Sequence, residues 1–304
     1  MNCVGGYLYI WNMREQSMNK LWDCVKATTE RALSCGALLS IPTNYEFVEQ
    51  DGVVFMVRIL SNLVRKDEAK KKEKQITQNA IDFNPFLPYE QDLWVADISD
   101  THVCILNKFN VVDYHLLIIT RAFEAQESLL TERDFAAMWY AMADFDGLAF
   151  YNGGQIAGAS QKHKHLQLVP LPLAPNGTKL PIEPLLLSAS FQGSVGTIPK
   201  LPFVHAFTRL NPDWVKSPIE GGVATLKQYH HSLKAVGLQD GGAYNLLATR
   251  EWMLIIPRQH ECFDSISVNS LGFAGALLVR NSEQLQRLKD YGPMNILKSV
   301  AIPL

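Results

Sequence analysis

Two histidines and a glutamine recur at every second position in Ser160-Gln161-Lys162-His163-Lys164-His165-Leu166-Gln167. In a strand, side chains at i, i+2 and i+4 share a face. Two imidazoles and an amide then line one surface, roughly 7 Å apart along the chain, while Lys164, Leu166 and Leu168 point the other way. Burying three polar groups together is costly unless each finds a partner. Three chemistries fit this spacing. The face can be solvated. It can hold zinc, which needs a third ligand that no residue nearby in sequence supplies. Or one imidazole is a nucleophile. With an ordinary pKa of ~6.5, a histidine is largely free base at neutral pH. It can attack an electrophilic phosphorus and form a phosphoramidate, once a hydrogen bond on its other nitrogen fixes the tautomer.

The residues that precede the histidines favour the nucleophile. Tyr151-Asn152-Gly153-Gly154-Gln155-Ile156-Ala157-Gly158-Ala159-Ser160 is a loop of small residues. Glycines at 153, 154 and 158 let backbone N–H groups come close to an anion. Asn152, Ser160 and Gln161 add side-chain donors. A donor-rich turn beside a nucleophile suits phosphoryl chemistry, in which positioning and charge stabilisation dominate.

The elements that would position these groups are legible in part. Residues 18–35 carry Met18, Leu21, Trp22, Val25, Ala32 and Leu33 at helical spacing, interrupted by Thr29. Alternation over Tyr45 to Leu60 predicts strands. The charged run from Arg65 to Lys74 reads as a solvated loop, or as a source of a phosphate contact. Asn84-Pro85-Phe86-Leu87-Pro88-Tyr89 is a stiff turn. Two apolar runs, His102 to Phe109 and His115 to Thr120, flank the polar linker Asn110 to Tyr114 and predict a hairpin. A helix over 131–146 has Thr131 as N-cap. Leu148 to Tyr151 and His163 to Val169 are expected strands around the glycine-rich turn, and 170–202, rich in Pro, Ser and Gly, reads as an excursion or lid. Further on come a helix over Thr225 to Val236, strands Tyr244 to Thr249 and Trp252 to Ile256, and a largely helical stretch from Gly272 to Asp290. Leu117-Ile118-Ile119-Thr120-Arg121 echoes Leu254-Ile255-Ile256-Pro257-Arg258, which points to an internal duplication.

Composition excludes several classes. Of 304 residues, 47% are hydrophobic, enough for a packed core. A net charge of -2 argues against a general polyanion binder, so phosphate recognition must be local and nucleic acid is not an expected partner. The five cysteines, at 3, 24, 35, 104 and 262, have no C-x-x-C spacing and read as reduced, buried thiols of a cytoplasmic protein. No apolar run reaches the ~18 residues of a membrane span. The mildly apolar start lacks a basic n-region, so it reads as an arm over residues 1–17 rather than a signal peptide.

The motif resembles that of the ATP adenylyltransferases, or diadenosine tetraphosphate phosphorylases, of the histidine-triad (HIT) superfamily. It is carried by Asn152-Gly153-Gly154 and by Gly158 through Gln167. Asn84-Pro85-Phe86, Leu106-Asn107-Lys108-Phe109, Tyr244-Asn245-Leu246-Leu247 and Asn269 through Gly275 agree with it. The similarity runs from about residue 45 to about 290. It implies an α+β, HIT-like fold in which two related halves, 45–170 and 200–292, each bring an antiparallel sheet flanked by helices within one globular unit. It also implies phosphorolysis of diadenosine tetraphosphate. His165 attacks the α-phosphorus and ATP leaves. Phosphate then takes AMP from His165 to give ADP. His163 and Gln167 support the nucleophile. By position, Asn107, Lys108, Asn152, Gly158, Ala159, Ser160, Gln161 and Gln167 hold nucleotide and phosphates. Asn269, Ser270, Leu271, Ala276 and Arg280 match a C-terminal nucleotide segment, and Arg65 or Lys66 an N-terminal basic contact. No prosthetic group is implied, and magnesium accompanies the polyphosphate without a protein cage.

Relatives that hydrolyse carry a third histidine where this chain has Gln167. A neutral amide can hold a phosphate oxygen but cannot pass a proton to a leaving group. The alternative within the superfamily is a hexose-1-phosphate uridylyltransferase, whose motif usually has proline between the histidines. Lys164 stands there, and no paired cysteines are present for the structural metal that many of those enzymes bind. The alternative outside catalysis is a nucleotide-binding protein without turnover. His205, His230 and His231 read as surface or structural, and Arg121 and Arg258 as strand-end salt bridges or phosphate contacts.

Overall fold

A computed structural model describes residues 21–60, 84–175 and 177–304. The arm over 1–17, the charged run 65–74, and with it Arg65 and Lys66, lie outside the described residues.

The first described helix, α1 (Leu21–Cys35), buries Leu21, Val25, Thr28, Thr29 and Ala32. Thr29 does not break that face, because its hydroxyl donates to the Val25 carbonyl one turn earlier, at 2.7 Å. Leu33 lies off the stripe and is exposed. Strands β1 (Thr43–Gln50) and β2 (Val53–Leu60) pair antiparallel. Asp51 and Gly52, both at positive φ, make the turn between them.

The main sheet has ten strands: β3 (Trp94–Asp97), β4 (His102–Leu106), β5 (Leu116–Thr120), β6 (Gly147–Gly153), β7 (His165–Pro170), β8 (Ser190–Gln192), β9 (Val195–Thr197), β10 (Ala206–Arg209), β11 (Tyr244–Ala248) and β12 (Trp252–Pro257). Their order is β3-β4-β5-β7-β6-β11-β12-β10-β9-β8, with every neighbouring pair antiparallel. The fold is α+β, and the two sets of antiparallel strands join across β6–β11 into one sheet. Helix α2 (Glu132–Ala141) follows β5, short helix α3 (Glu183–Leu186) precedes β8, and α4 (Pro218–Ala235) follows β10. Strand, helix, strand, strand thus occurs twice, as β5-α2-β6-β7 and β10-α4-β11-β12. In that succession β12 corresponds to β7. The Leu117–Arg121 echo of Leu254–Arg258 therefore joins strands that are not topological equivalents.

Helices α1, α2 and α4 cover one face, where Phe135, Trp139 and Tyr229 pack on Leu166, Leu168, Leu246 and Met253. The other face, with Phe150, Val169, Leu247 and Leu254, is covered by residues after 170 together with Val53, Phe55, Met56 and Val57 of β2. Leu173, Leu180, Ile182, Leu185, Ile198 and Leu201 are all in that core, so 170–202 is packed structure and not a lid. Its prolines and glycines punctuate short elements.

The expected helix from Gly272 to Asp290 is three elements. Helix α5 (Ser270–Phe273) stops at Gly275, whose φ is +91. After β13 (Cys262–Phe263) and β14 (Ile266–Ser267) have formed a small hairpin, β15 (Ala276–Val279) pairs parallel with β2. The long helical part is α6 (Ser282–Tyr291), followed by α7 (Pro293–Val300). A four-residue apolar run has no distinguishing period, and pairing with β2 decides it. The chain's early strands are thereby tied to its late ones.

Thr131 caps α2 in a capping box closed by Asp134, and the helix ends at Ala141 rather than 146. Helix α4 starts seven residues before the expected Thr225 (Pro218 against 225). Pro218 and the glycine pair 221–222 are residue types unfavourable in a helix interior. Proline is favoured in a first turn, however, and the glycines allow close approach to α2 and to the turn at Trp214. A Cβ on Gly222 would stand 2.6 Å from the Glu132 carbonyl oxygen and 2.9 Å from the Ala136 nitrogen. Gly222→Ala gains ~0.5–1 kcal/mol of helix propensity against overpacking of ~1–3 kcal/mol. Because the obstructing atoms are backbone, the expected result is a net loss of about 1–2 kcal/mol in urea unfolding; an unchanged or raised midpoint would contradict this packing.

Candidate active site

Strand β7 begins at His165, two residues later than expected (165 against 163). His163 precedes it in an isolated bridge to Ala125. The predicted alternation still holds, because the Phe86 ring packs edge-on against both His163 (5.7 Å) and His165 (5.2 Å). On the helix side of the strand, the Lys164 ammonium lies 2.7 Å from Glu124 and 3.2 Å from Asp134, with the lysine buried. Asp134 also meets the ring of His102 at 3.0 Å. Leu166 and Leu168 lie in the core beneath α2.

Each imidazole has its tautomer set by acceptors that cannot donate. The His163 Nε2–H donates to the Thr120 carbonyl at 2.8 Å, which leaves Nδ1 to accept from the Asn84 side-chain amide at 2.8 Å. Both nitrogens are engaged, so His163 cannot ligate zinc or attack. Among the described residues no group of three His, Cys, Asp or Glu side chains could hold a metal ion. His165 Nδ1–H donates to the carbonyl of His163 at 2.7 Å. Its Nε2 is then the lone-pair nitrogen, and it has no hydrogen-bond partner among the described residues. Burial pushes the His165 pKa down to about 4, against the hydrogen bond to the His163 carbonyl, which favours the charged ring. Burial also lowers that of His163.

Gln167 is oriented by a residue that no local sequence pattern marks. Its Oε1 accepts from His115 Nε2 at 3.0 Å, and His115 Nδ1 is 3.2 Å from the Asn107 side-chain amide. Asn107, expected on substrate, is thus the far end of a buttress that turns the Gln167 amide outward. His115 is buried, which lowers its pKa to about 4. Lys108, also expected on substrate, pairs with Glu90 at 2.5 Å.

The glycine loop is shaped by its own hydrogen bonds. The N–H of Gly158 goes to Gln155 O and that of Ala159 to Gly154 O, at 2.9 and 3.1 Å. These two amides hold the turn and are not free to cradle an anion; the N–H groups of Ser160 and Gln161 have no such partner among the described residues. Gly158, at φ +89, lies against the Val268–Asn269 backbone, where a Cβ would meet Val268 O at 2.9 Å. Asn269, half-buried and capping α5, is brought beside the loop in this way.

Asn152 Oδ1 accepts from Asn245 Nδ2 (2.9 Å), the Ser270 amide (3.0 Å) and the Ser270 hydroxyl (2.7 Å). Only its Nδ2 remains uncommitted among the described residues. Ser270 is fully buried, with its amide and hydroxyl both donating to Asn152. Leu271 and Ala276 are core residues, and Arg280 is exposed beyond β15, beside Cys262. Arg121 pairs with Asp97, whereas Arg258 is buried and donates to carbonyls of Val268, His260 and Val300. Arg258 is a structural tie, not a phosphate contact. His205 is buried, its ring bridging Phe203 O and Ile198 N.

Asn84, Thr120 and His115 complete the site, although the sequence alone assigns none of them a role. Asn84-Pro85-Phe86 is visible as a motif. Its function is not, because its partner His163 is 79 residues away.

The site sets an imidazole with an unbonded ring nitrogen beside uncommitted amide donors. A family model for the Ap4A phosphorylase N-terminal domain matches residues 12–188, and one for the ATP adenylyltransferase C-terminal domain matches 199–303. The chain belongs to the Ap4A phosphorylase family. It is 26% identical over 272 residues to diadenosine 5',5'''-P1,P4-tetraphosphate phosphorylase 2 of Saccharomyces cerevisiae, covering 78% of this chain and 79% of that protein. Protein APA1 of the same organism is 26% identical over 209 residues, 61% of this chain and 64% of its own length. The fold matches the crystal structure of yeast Ap4A phosphorylase Apa2 in complex with Ap4A, with a TM-score of 0.76 at 21% identity over 93% of this chain and 97% of that one. The AMP complex of Apa2 gives 0.74 at 23%, with the same coverage.

Burial of His165 and His115 is expected to make the protein acid-sensitive. Burial pushes both rings from the ordinary 6.5 down to about 4 in the folded chain. Below 6.5 the unfolded chain binds protons that the folded chain refuses, so stability is complete above that pH and is lost as pH falls toward 4. The urea midpoint is expected to drop across this window, and imidazole NMR to find His165 still neutral at about pH 5.5. A His165 titration near 6.5 would contradict the buried, tautomer-locked ring.

Proposed function

We propose that this protein is an ATP adenylyltransferase that cleaves diadenosine tetraphosphate by phosphorolysis, through an AMP group carried on His165. The observation that carries the reading is the unprotonated Nε2 of His165, fixed by the Nδ1–H bond to His163 O. Membership of the Ap4A phosphorylase family supports it.

Nε2 attacks the α-phosphorus. The N–P bond forms as the bond to the bridging oxygen breaks, and ATP departs. Inorganic phosphate then attacks the same phosphorus, the P–N bond breaks, and ADP leaves with the imidazole restored. The reaction exchanges phosphorus ligands and needs no general acid: the first leaving group is a polyphosphate, and the second is the His165 ring, which departs neutral because Nδ1 keeps its proton. Gln167 suits this. With Oε1 held by His115, its NH2 group donates to a non-bridging oxygen, and it offers no acidic proton. Asn152 Nδ2 and the amides of Ser160 and Gln161 supply further donors, with Gly158 and Ala159 shaping the turn and Asn269 beside it. Arg65, Lys66 and Arg280 are basic contacts of the outer phosphates or the second nucleoside in this reading, and Lys108 joins them by exchanging Glu90 for phosphate. Magnesium travels with the polyphosphate. The partners are small nucleotides rather than nucleic acid or membrane. The proposed location is the cytoplasm; no helix among the described residues is long and apolar enough to cross a membrane.

The test is incubation with diadenosine tetraphosphate, with and without phosphate, and separation of products. Phosphate-dependent ATP plus ADP, reduced by His165→Ala at least ~10³-fold as expected for loss of a nucleophile, is the predicted outcome. Phosphate-independent release of AMP, or full activity in the alanine variant, would refute the reading.

A further inference from the structure

Strands β6 and β7 pair in register from Gly147–Pro170 to Phe150–Gln167. Continued two steps, that register would place Asn152 opposite His165. The two residues are not bonded to each other there. The side chain of Gln126 lies between them. Its Oε1 accepts the His165 N–H at 2.9 Å, and its Nε2 donates to the Asn152 carbonyl at 2.9 Å, with the His165 carbonyl at 3.5 Å. A glutamine carboxamide has the donor and acceptor of a peptide group. Here it fills one rung of an antiparallel ladder, widening the gap between the strands by one amide.

Gln126 is itself immobilised. It is 0% exposed. Its N–H donates to Lys162 O at 2.8 Å, and its carbonyl accepts the Tyr151 hydroxyl. The residue is thus tied to the strand that ends at the glycine loop and to the segment that carries both histidines. On its other edge His165 lies in register with Ile119 of β5. Removing the carboxamide would leave the buried His165 N–H without its acceptor and take one of two donors from the Asn152 carbonyl, which keeps the Gly154 N–H at 2.9 Å, or let the strands close by an amide's width. Either change moves the nucleophile relative to Asn152, whose Nδ2 is the free donor across the gap.

We propose that Gln126 is a positioning residue for the transfer reaction. By spacing the main chains of His165 and Asn152, it sets the distance between the attacking nitrogen and the donor that receives the phosphoryl oxygen. This rests on the adenylyl-transfer reading above. Gln126 does not touch the reacting atoms and acts through these two residues. It carries no sequence signal of its own, because its partners lie 26 and 39 residues away.

The experiment compares wild type with Gln126→Met, which keeps the volume and loses both bonds, and with Gln126→Glu, which keeps the acceptor for His165 N–H and loses the donor to Asn152. Steady-state phosphorolysis is measured together with the imidazole NMR titration of His165. Misplacement of about 1 Å costs on the order of 10²-fold in rate. We therefore expect kcat to fall ~10- to 100-fold in both variants, with KM within about threefold. The His165 titration should move up toward its ordinary range in Gln126→Met as the strand loosens. A merely structural glutamine would lower the thermal midpoint and leave kcat of the folded enzyme and the His165 titration unchanged, which would overturn the proposal. If one variant fails to fold, the other carries the same comparison. If wild type does not turn over while the His165 titration shifts in the variants, the reaction is misassigned but the positioning role stands.

Discussion

The hydrogen bond from His165 Nδ1–H to the carbonyl of His163, 2.7 Å long, is the constraint on which the rest of the site depends. It is local, crossing only two residues, and so it survives only if the chain at 163–165 is held extended. Outside the site, two anchors do this. The isolated bridge to Ala125 fixes His163 before the strand starts, and the ladder with β5 takes over at His165. Asn84 and Thr120 then saturate the His163 ring, so the first histidine supplies a carbonyl and a wall, and the second supplies the nitrogen. Two residues of the same type are separated in role by which of their groups are already bonded.

The opposite side of the same segment explains why the strand stays in place. Lys164 is almost fully buried between Glu124 and Asp134, and Asp134 also closes the capping box of α2. Buried ion pairs contribute little net stability, but breaking one by removing a partner is expensive. The cluster therefore penalises any slip that would turn Lys164 to the ligand side. Since a one-residue slip exchanges the two faces of a strand, it would equally carry His165 into the core. Electrostatics on the buried face thus enforces register on the reactive face. His102 and Thr131 complete the surroundings of Asp134 and connect β4 and α2 to the same cluster.

Much of this is legible in the sequence, and the failures have physical causes. The alternation His163, His165, Gln167 places three side chains on one face, as found, although continuous ladder pairing begins only at His165. The hairpin of β4 and β5, the capped start of α2 and the glycine turn are readable because their signals are local. Where the signal is composition alone, it misleads. Prolines and glycines in 170–202 suggest a lid, yet the leucines and isoleucines among them complete the core. Leucine-rich 276–279 fits helix or strand equally and is decided by its partner β2. Asn107 and Ser270 are expected on substrate, and the structure adds what no local pattern shows, that one bonds His115 and the other Asn152. His115 and Gln126 escape a sequence reading because their partners are distant along the chain, where a single sequence carries no pairing signal. Arg65 and Lys66 fall outside the described residues.

The most direct test of the central claim is the chemistry of the adduct. After a single turnover with diadenosine tetraphosphate in the absence of phosphate, the quenched protein is digested and the modified ring nitrogen is identified by NMR of the isolated peptide. The account predicts AMP on His165 alone, bonded through Nε2, because Nδ1 carries the proton given to His163 O. A phosphoramidate at Nδ1, or AMP on His163, would contradict it.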